Sequence, residues 1–252
     1  MKSKKILLIL LISLLAVLLS GCVGSEEWQA PGVTLSVGNE NDPDQVSTGI
    51  QLLVLLTVLS LAPAILILAT SFTRIVIVLS MVRSAIGTPT IPPNQVVIGL
   101  SLLLTFFIMT PVYQEVNSQA IEPYLEGEIE QTEALDLAQE PIREFMFSQV
   151  REKDLELFVG LTSENRPETL EDIPTVVLLP AFVISELRAA FIMGFAIYVP
   201  FLVIDMIIAS ILLAMGMMML PPSLVSLPFK ILLFVMVDGW YLITRSLSMS
   251  FF

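Results

Sequence analysis

Three ionisable side chains, Asp205, Lys230 and Asp238, lie inside the otherwise apolar stretch DMIIASILLAMGMMMLPPSLVSLPFKILLFVMVDGW. A charge within a segment of hydrocarbon-like composition is costly, so such groups are candidates for binding, conduction or the pinning of helices. Asp205 and Lys230 flank Pro221-Pro222 and are placed to pair across a helical hairpin. Asp238 follows Lys230 by two turns, rotated about 80° around a helix, so it faces a different neighbour. Two chemistries suit this set: ion pairs between helices or subunits, and a proton relay. Simple mutual satisfaction during packing accounts for the charges equally well. No further buried carboxylate extends a relay beyond Glu186.

Between the charges, Met215, Met217, Met218 and Met219 run into the proline pair. Methionine is unbranched and deformable, so it seals irregular gaps. In a helix Met215 and Met219 share a face, with Met218 beside it. Gly216 permits close backbone approach, and Pro221-Pro222 halts the helix. Several copies around an axis would make an apolar constriction that excludes water and ions; gap-filling in an ordinary helix pack is the simpler account. Upstream, Glu186 and Arg188 stand on opposite helix faces at a membrane entrance, and Arg74 follows Ser71-Phe72-Thr73. The first two position a helix, while Arg74 snorkels to an interface or holds a partner subunit.

Of the whole chain, 55% is hydrophobic, and the mean hydropathy is +0.86. Segments Ile50–Ala69, Val96–Tyr113, Ala189–Met215 and Leu224–Ile243 meet or approach the ~20 residues that span a bilayer as helix. Barrel-like alternation is absent, so the expected class is all-α: a polytopic helical membrane protein built from helical hairpins, with an acidic helical extramembrane domain. Residues 114–175 hold 16 acidic and four basic side chains, and the rest of the chain is balanced at eight of each. That segment therefore carries the whole net charge of −12, as a solvated domain would. There is no basic face for nucleic acid. The chain has no His, and Cys22 is its one cysteine. Cys/His metal sites and His-dependent nucleophilic catalysis are thereby excluded. Without a Gly-rich phosphate loop either, an enzyme is not expected, nor a cofactor or metal.

Lys2, Lys4 and Lys5 precede the apolar run Ile6–Leu19, which has the form of a signal peptide over residues 1–21. Its end, Leu-Ser-Gly-Cys22, resembles a lipoprotein signal, which would make Cys22 a lipidation site; a plain cleaved signal is the alternative. Residues 22–48 read as an exposed linker. Residues 49–113 form a first pair of membrane helices, with Pro63 a kink and Arg74 and Arg83 on the cytoplasmic side. The acidic domain, 114–175, then lies outside, helical over Gln131–Val159 with Pro141 at a start or break. Residues 176–252 make two helices joined at Pro221-Pro222.

Three long blocks, SFTRIVIVLSMVRSAIGTPTIPPNQVVIGLSLLLTFFIM, PAFVISELRAAFIMGFAIYVPFLVIDMIIASILLAMGMMM and LPPSLVSLPFKILLFVMVDGW, resemble the FliP family of flagellar export-gate components, related to the injectisome SctR family. The resemblance implies a ring-like export gate in the cytoplasmic (inner) membrane at the flagellar basal body. It implies five copies assembling with FliQ and FliR around a conduit for unfolded flagellar subunits. It assigns Met217, Met218 and Met219 to the gasket that closes the conduit and raises the helices out of the bilayer plane. Two features depart from the family pattern: Ile192, where many relatives carry a polar residue, and the lipoprotein-like Cys22. The competing reading is a secondary transporter or ion channel using an intramembrane Asp/Lys relay.

Overall fold

The computed structural model describes residues 29–30, 33–34, 43–162, 169–170, 172–217 and 219–252. Cys22, the signal region and Met218 lie outside the described residues. Two compact units divide at residue 58. The first contains strands β1 (Gln29–Ala30) and β2 (Val33–Thr34), antiparallel with Gln29 opposite Thr34. Helix α1 (Pro43–Leu68) begins inside the expected linker, which therefore ends at residue 42 and not at 48. Proline at the first helical position explains this start, because its missing N–H has no helical partner to lose. Pro63 is carried within the same helix.

Among the described residues the regular elements of the second unit are all helices. Helix α2 (Phe72–Ile86) places Ile75, Val78, Leu79, Val82 and Ala85 on one buried stripe, the three-and-four spacing of a core-facing helix. It packs on α3 (Asn94–Ile108) and most extensively on α8 (Thr175–Ala214), with Ala190, Phe201, Phe234, Ile243 and Leu247 completing the core. Helix α8 is 40 residues long, about 60 Å at 1.5 Å per residue. Among the described residues it is the one helix long and apolar enough to cross a membrane by itself. At roughly twice the ~30 Å hydrocarbon thickness, it cannot lie wholly within lipid along its axis.

Of the other expected spans, Ile50–Ala69 is carried by α1 up to Leu68, and two are broken. Val96–Tyr113 is not one helix: α3 ends at Ile108 and turns by 55° into α4 (Thr110–Val116), a π-helical turn (Asn117–Ile121) and α5 (Glu122–Glu126). Pro111 in the first turn of α4 lacks the N–H that would continue α3. Leu224–Ile243 likewise separates into α9 (Pro222–Met236) and α10 (Gly239–Met249), bent by 63°. At this elbow Asp238 adopts a left-handed backbone, φ 51° and ψ 56°. Gly239 supplies the room on its inner side, since a Cβ there would run into the Phe234 ring, which itself meets Trp240 edge-on at 5.3 Å.

The acidic segment is helical, as its composition suggested, but punctuated differently. Pro141 lies buried within α6 (Gln131–Gln149), and the break falls at Val150–Arg151, before α7 (Glu152–Thr162). Pro141 costs the helix one backbone hydrogen bond without ending it, and its ring is buried. A second apolar cluster of Met146, Leu155, Ile173, Val177, Leu178, Ala181 and Phe182 fastens α6 and α7 to the start of α8. Burying side chains of this size contributes about 1.5–3 kcal/mol each.

Candidate functional site: charged pins and a methionine turn

Arg74 is 5% exposed and Glu186 fully buried. Their side chains form a two-point ion pair, with Arg74 Nε donating to Glu186 Oε2 at 2.9 Å and Nη2 donating to Oε1. Forked pairing of this kind is the strong geometry for arginine and carboxylate. Nη2 also donates to Gln149 Oε1 at 3.0 Å, at the end of α6. Nη1 donates to the Ser250 carbonyl at 2.9 Å and to its Oγ at 3.0 Å. The guanidinium lies 3.9 Å from the centre of the Phe251 ring, which also stacks on Phe145 at 6.3 Å. One guanidinium thus joins α2, α6, α8 and the residues after α10. Arg74 neither snorkels nor waits for a partner subunit; its donors are consumed inside its own chain, because Glu186 faces it across the tightest helix pair.

Glu186 and Arg188 do occupy opposite faces of α8, the first buried and the second exposed. Arg188 is therefore not a buried charge. One residue before Glu186, Ser185 Oγ donates to Asp154 Oδ2 at 2.7 Å and accepts from the Arg151 N–H at 3.1 Å. Arg151 clasps Asp154 through Nε (2.9 Å) and Nη2 (2.8 Å). The Arg151 hydrogen bond, supported by Ser185, holds the Asp154 carboxyl below its usual range despite opposing desolvation. A depressed folded-state pKa gives stability that is present above the unfolded value, about 3.9, and lost as pH falls through the lower folded value. Thermal melts from pH 7 down to pH 3 should accordingly lose less stability for Asp154→Asn than for the parent. Parallel curves would remove Asp154 from the docking of α7.

Asp205 and Lys230 pair as their positions suggested. Lys230 Nζ donates to Asp205 Oδ2 at 2.5 Å, and Ser226 Oγ donates to Oδ1 at 2.5 Å. The lysine is buried, whereas the aspartate side chain is 35% exposed. This pin ties α8 to α9 a few turns below the connection between them. Asp205→Ala would leave the Lys230 ammonium buried without a counter-charge, a loss of about 3–5 kcal/mol for a buried pair, lessened here by the exposed aspartate. Lower melting temperature and lower complex yield should follow; a variant equal to the parent in both would show that the pin is dispensable. Asp238, by contrast, is exposed at the α9–α10 elbow; its backbone bonds to Val235 and Leu242, and its carboxylate has no hydrogen-bond or ion-pair partner among the described residues. It is a bend residue, because Asp tolerates the left-handed conformation better than most side chains.

The methionines do not continue a helix. α8 ends at Ala214, and Gly216 takes a left-handed φ of 76°, with its N–H bonded to the Leu213 carbonyl. The Met217 N–H returns to the Leu212 carbonyl at 2.9 Å, closing a glycine-type helix end. Met215 and Met219 hence do not share a helical face. Pro221 and Pro222 act on the following helix rather than the preceding one: Pro221 caps α9 and Pro222 opens it. The result is a turn carrying Met215, Met217 and Met219 outward at 67%, 41% and 99% exposure.

Sequence reasoning missed Gln149, Arg151, Asp154, Ser185, Ser226 and the Ser250–Phe251 pair as partners of these charges. Ser185, adjacent to Glu186 in the SEL stretch, offered the one local hint; Ser250 lies 176 positions from Arg74 and nothing local connects them.

The FliP family's sequence profile matches residues 55–247, which takes in Arg74, Glu186, Asp205, the methionine turn and Lys230. The chain is 56% identical over 217 residues to the flagellar biosynthetic protein FliP of Bacillus subtilis, covering 86% of this chain and 98% of that protein. It is 50% identical to FliP of Pectobacterium carotovorum, covering 89% of this chain and 86% of that protein. Against FliP of Aquifex aeolicus it is 47% identical, with 88% and 92% covered. A profile spanning all the charged pins and the turn, together with relatives matched over nearly their whole length, places this chain in the FliP family.

Proposed function

We propose that this chain is a core subunit of the flagellar type III protein-export gate, required for assembly of the flagellum. Several copies, five in number, surround a conduit for unfolded flagellar subunits together with FliQ and FliR. The assembly sits in the cytoplasmic membrane at the basal body, with the acidic segment on the outer side. The observation that carries this reading is the outward methionine turn at the tip of a hairpin held by the Asp205–Lys230 pin. A soluble monomer gains nothing by presenting three long apolar side chains on a turn, whereas copies around an axis bring them together as a water-excluding ring. Met217, Met218 and Met219 form this gasket, and the pins keep its supports stiff.

The length of α8 supports the same reading, because apolar surface extending beyond the hydrocarbon thickness requires cover by protein. The test is the mass of the assembly purified in mild detergent with its genetic neighbours co-expressed. A discrete complex with several copies of this chain and smaller helical partners is expected. A stable, solitary monomer would overturn the proposal and favour a transporter centred on Asp205.

A further inference from the structure

We propose that the methionine turn is an oxidation site, and that converting its thioethers to sulfoxides opens the closed gate to ions. The inference rests on the gasket reading above and adds a chemical sensitivity to it. Met215, Met217 and Met219 lie outside helical packing, with Met219 99% exposed, whereas the buried Met109 and Met146 are 1% exposed. In the isolated chain an aqueous oxidant therefore reaches the turn and not the buried methionines, and in the ring it meets the turn from the conduit. Met206, Met236 and Met249 are exposed as well, at 63%, 76% and 64%, but they lie on helices and not on the turn. The turn is the place where sulfur must face the conduit.

The reactant is a peroxide. A thioether lone pair attacks one peroxide oxygen; the S–O bond forms as the O–O bond breaks, and the departing hydroxide takes the proton from the oxygen now on sulfur and leaves as water. Sulfur loses two electrons and the peroxide gains them. The product side chain is polar, and its oxygen accepts hydrogen bonds from water. A ring that excludes ions because it is apolar loses that property when such oxygens line it. Leucine would exclude water as well but has no sulfur to oxidise, so the residue type that makes the turn deformable also makes it vulnerable.

The experiment uses the full complex in lipid vesicles, treated with hydrogen peroxide, with ion flux and the oxygen content of each methionine-bearing peptide measured together. The expected result is a single-oxygen gain on Met217 and Met219, a several-fold rise in flux, and recovery of the original flux after methionine sulfoxide reductases. The rise should persist in Met206→Leu and Met236→Leu complexes. It should vanish, relative to the same complex untreated, when Met217, Met218 and Met219 are all replaced by Leu. Oxidised turn residues with unchanged flux would overturn the inference, as would an equal rise in the leucine complex or oxidation confined to other methionines. If such a null result accompanies a leak in the complex with Met217, Met218 and Met219 replaced by Ala, the gasket reading stands and only the oxidation site falls. If the alanine complex is also tight, the gasket reading falls with it.

Discussion

Arg74→Ala should be the most damaging single substitution in the chain. Removing the guanidinium leaves Glu186 fully buried with its principal donors gone, a change that costs about 3–5 kcal/mol when one member of a buried pair is deleted. It also strips the acceptors on Gln149 and Ser250 and the ring contact with Phe251, so α2, α6, α8 and the residues after α10 lose their common tie. Since a domain is typically stable by only about 5–15 kcal/mol, most of this chain should fail to accumulate in assembled form. Thermal melting and the yield of the detergent-purified complex measure it. The physical cause is separable by a second change. Arg74→Ala combined with Glu186→Leu removes the stranded charge and should recover a substantial part of the loss. A double variant as poor as the single would show that the other contacts of Arg74, and not the buried carboxylate, dominate. Arg74→Lys should rescue little, because an ammonium cannot reproduce the planar fork that meets Glu186, Gln149 and Ser250 at once.

The second large effect should be on function and not on stability. Replacing Met217, Met218 and Met219 together by Ala truncates side chains on a turn where Met217 and Met219 are exposed, and leaves both apolar cores and all three pins untouched, so assembly should be close to normal. In the gate reading the same change removes the apolar plug, and vesicles or cells carrying the complex should leak ions many-fold above the parent. Conductance across a bilayer containing the intact complex is the measurement. An unchanged conductance in a correctly assembled complex would remove the gasket. The contrast between the two variants is informative: Arg74→Ala should lose the complex, whereas the methionine variant should keep it and lose its seal.

The helical class, the acidic segment, the hairpin and the pairing of Asp205 with Lys230 are all legible in the sequence, for a common reason. Each follows from local composition or from a short sequence distance that permits few alternatives. Hydropathy marks segments that must satisfy their own backbone in lipid. Two opposite charges 25 residues apart, on either side of a proline turn, have little choice of partner. Breaks were harder. Pro141 and Pro63 are carried inside helices, while Asp238, a residue with no breaking tendency comparable to proline, sits at a 63° elbow. A proline costs a bond wherever it lies, but surrounding packing decides whether the helix yields to that cost.

By itself the sequence determined that this is a helical chain of bilayer-scale apolar segments, with one acidic region and a methionine-rich stretch beside a proline pair, because those properties are written in neighbouring residues. Only the tertiary structure decided which charges are interior. Arg74 and Glu186 meet across 112 positions, Asp154 finds Ser185, and the Ser250 carbonyl closes the junction, while Arg188 and Asp238 remain outside. It also turned the methionines from a presumed helical face into an outward turn through the left-handed Gly216. Burial and turn geometry depend on which helices pack against each other and at what angle, and that is settled by the summed fit of distant apolar stripes, which no local pattern encodes.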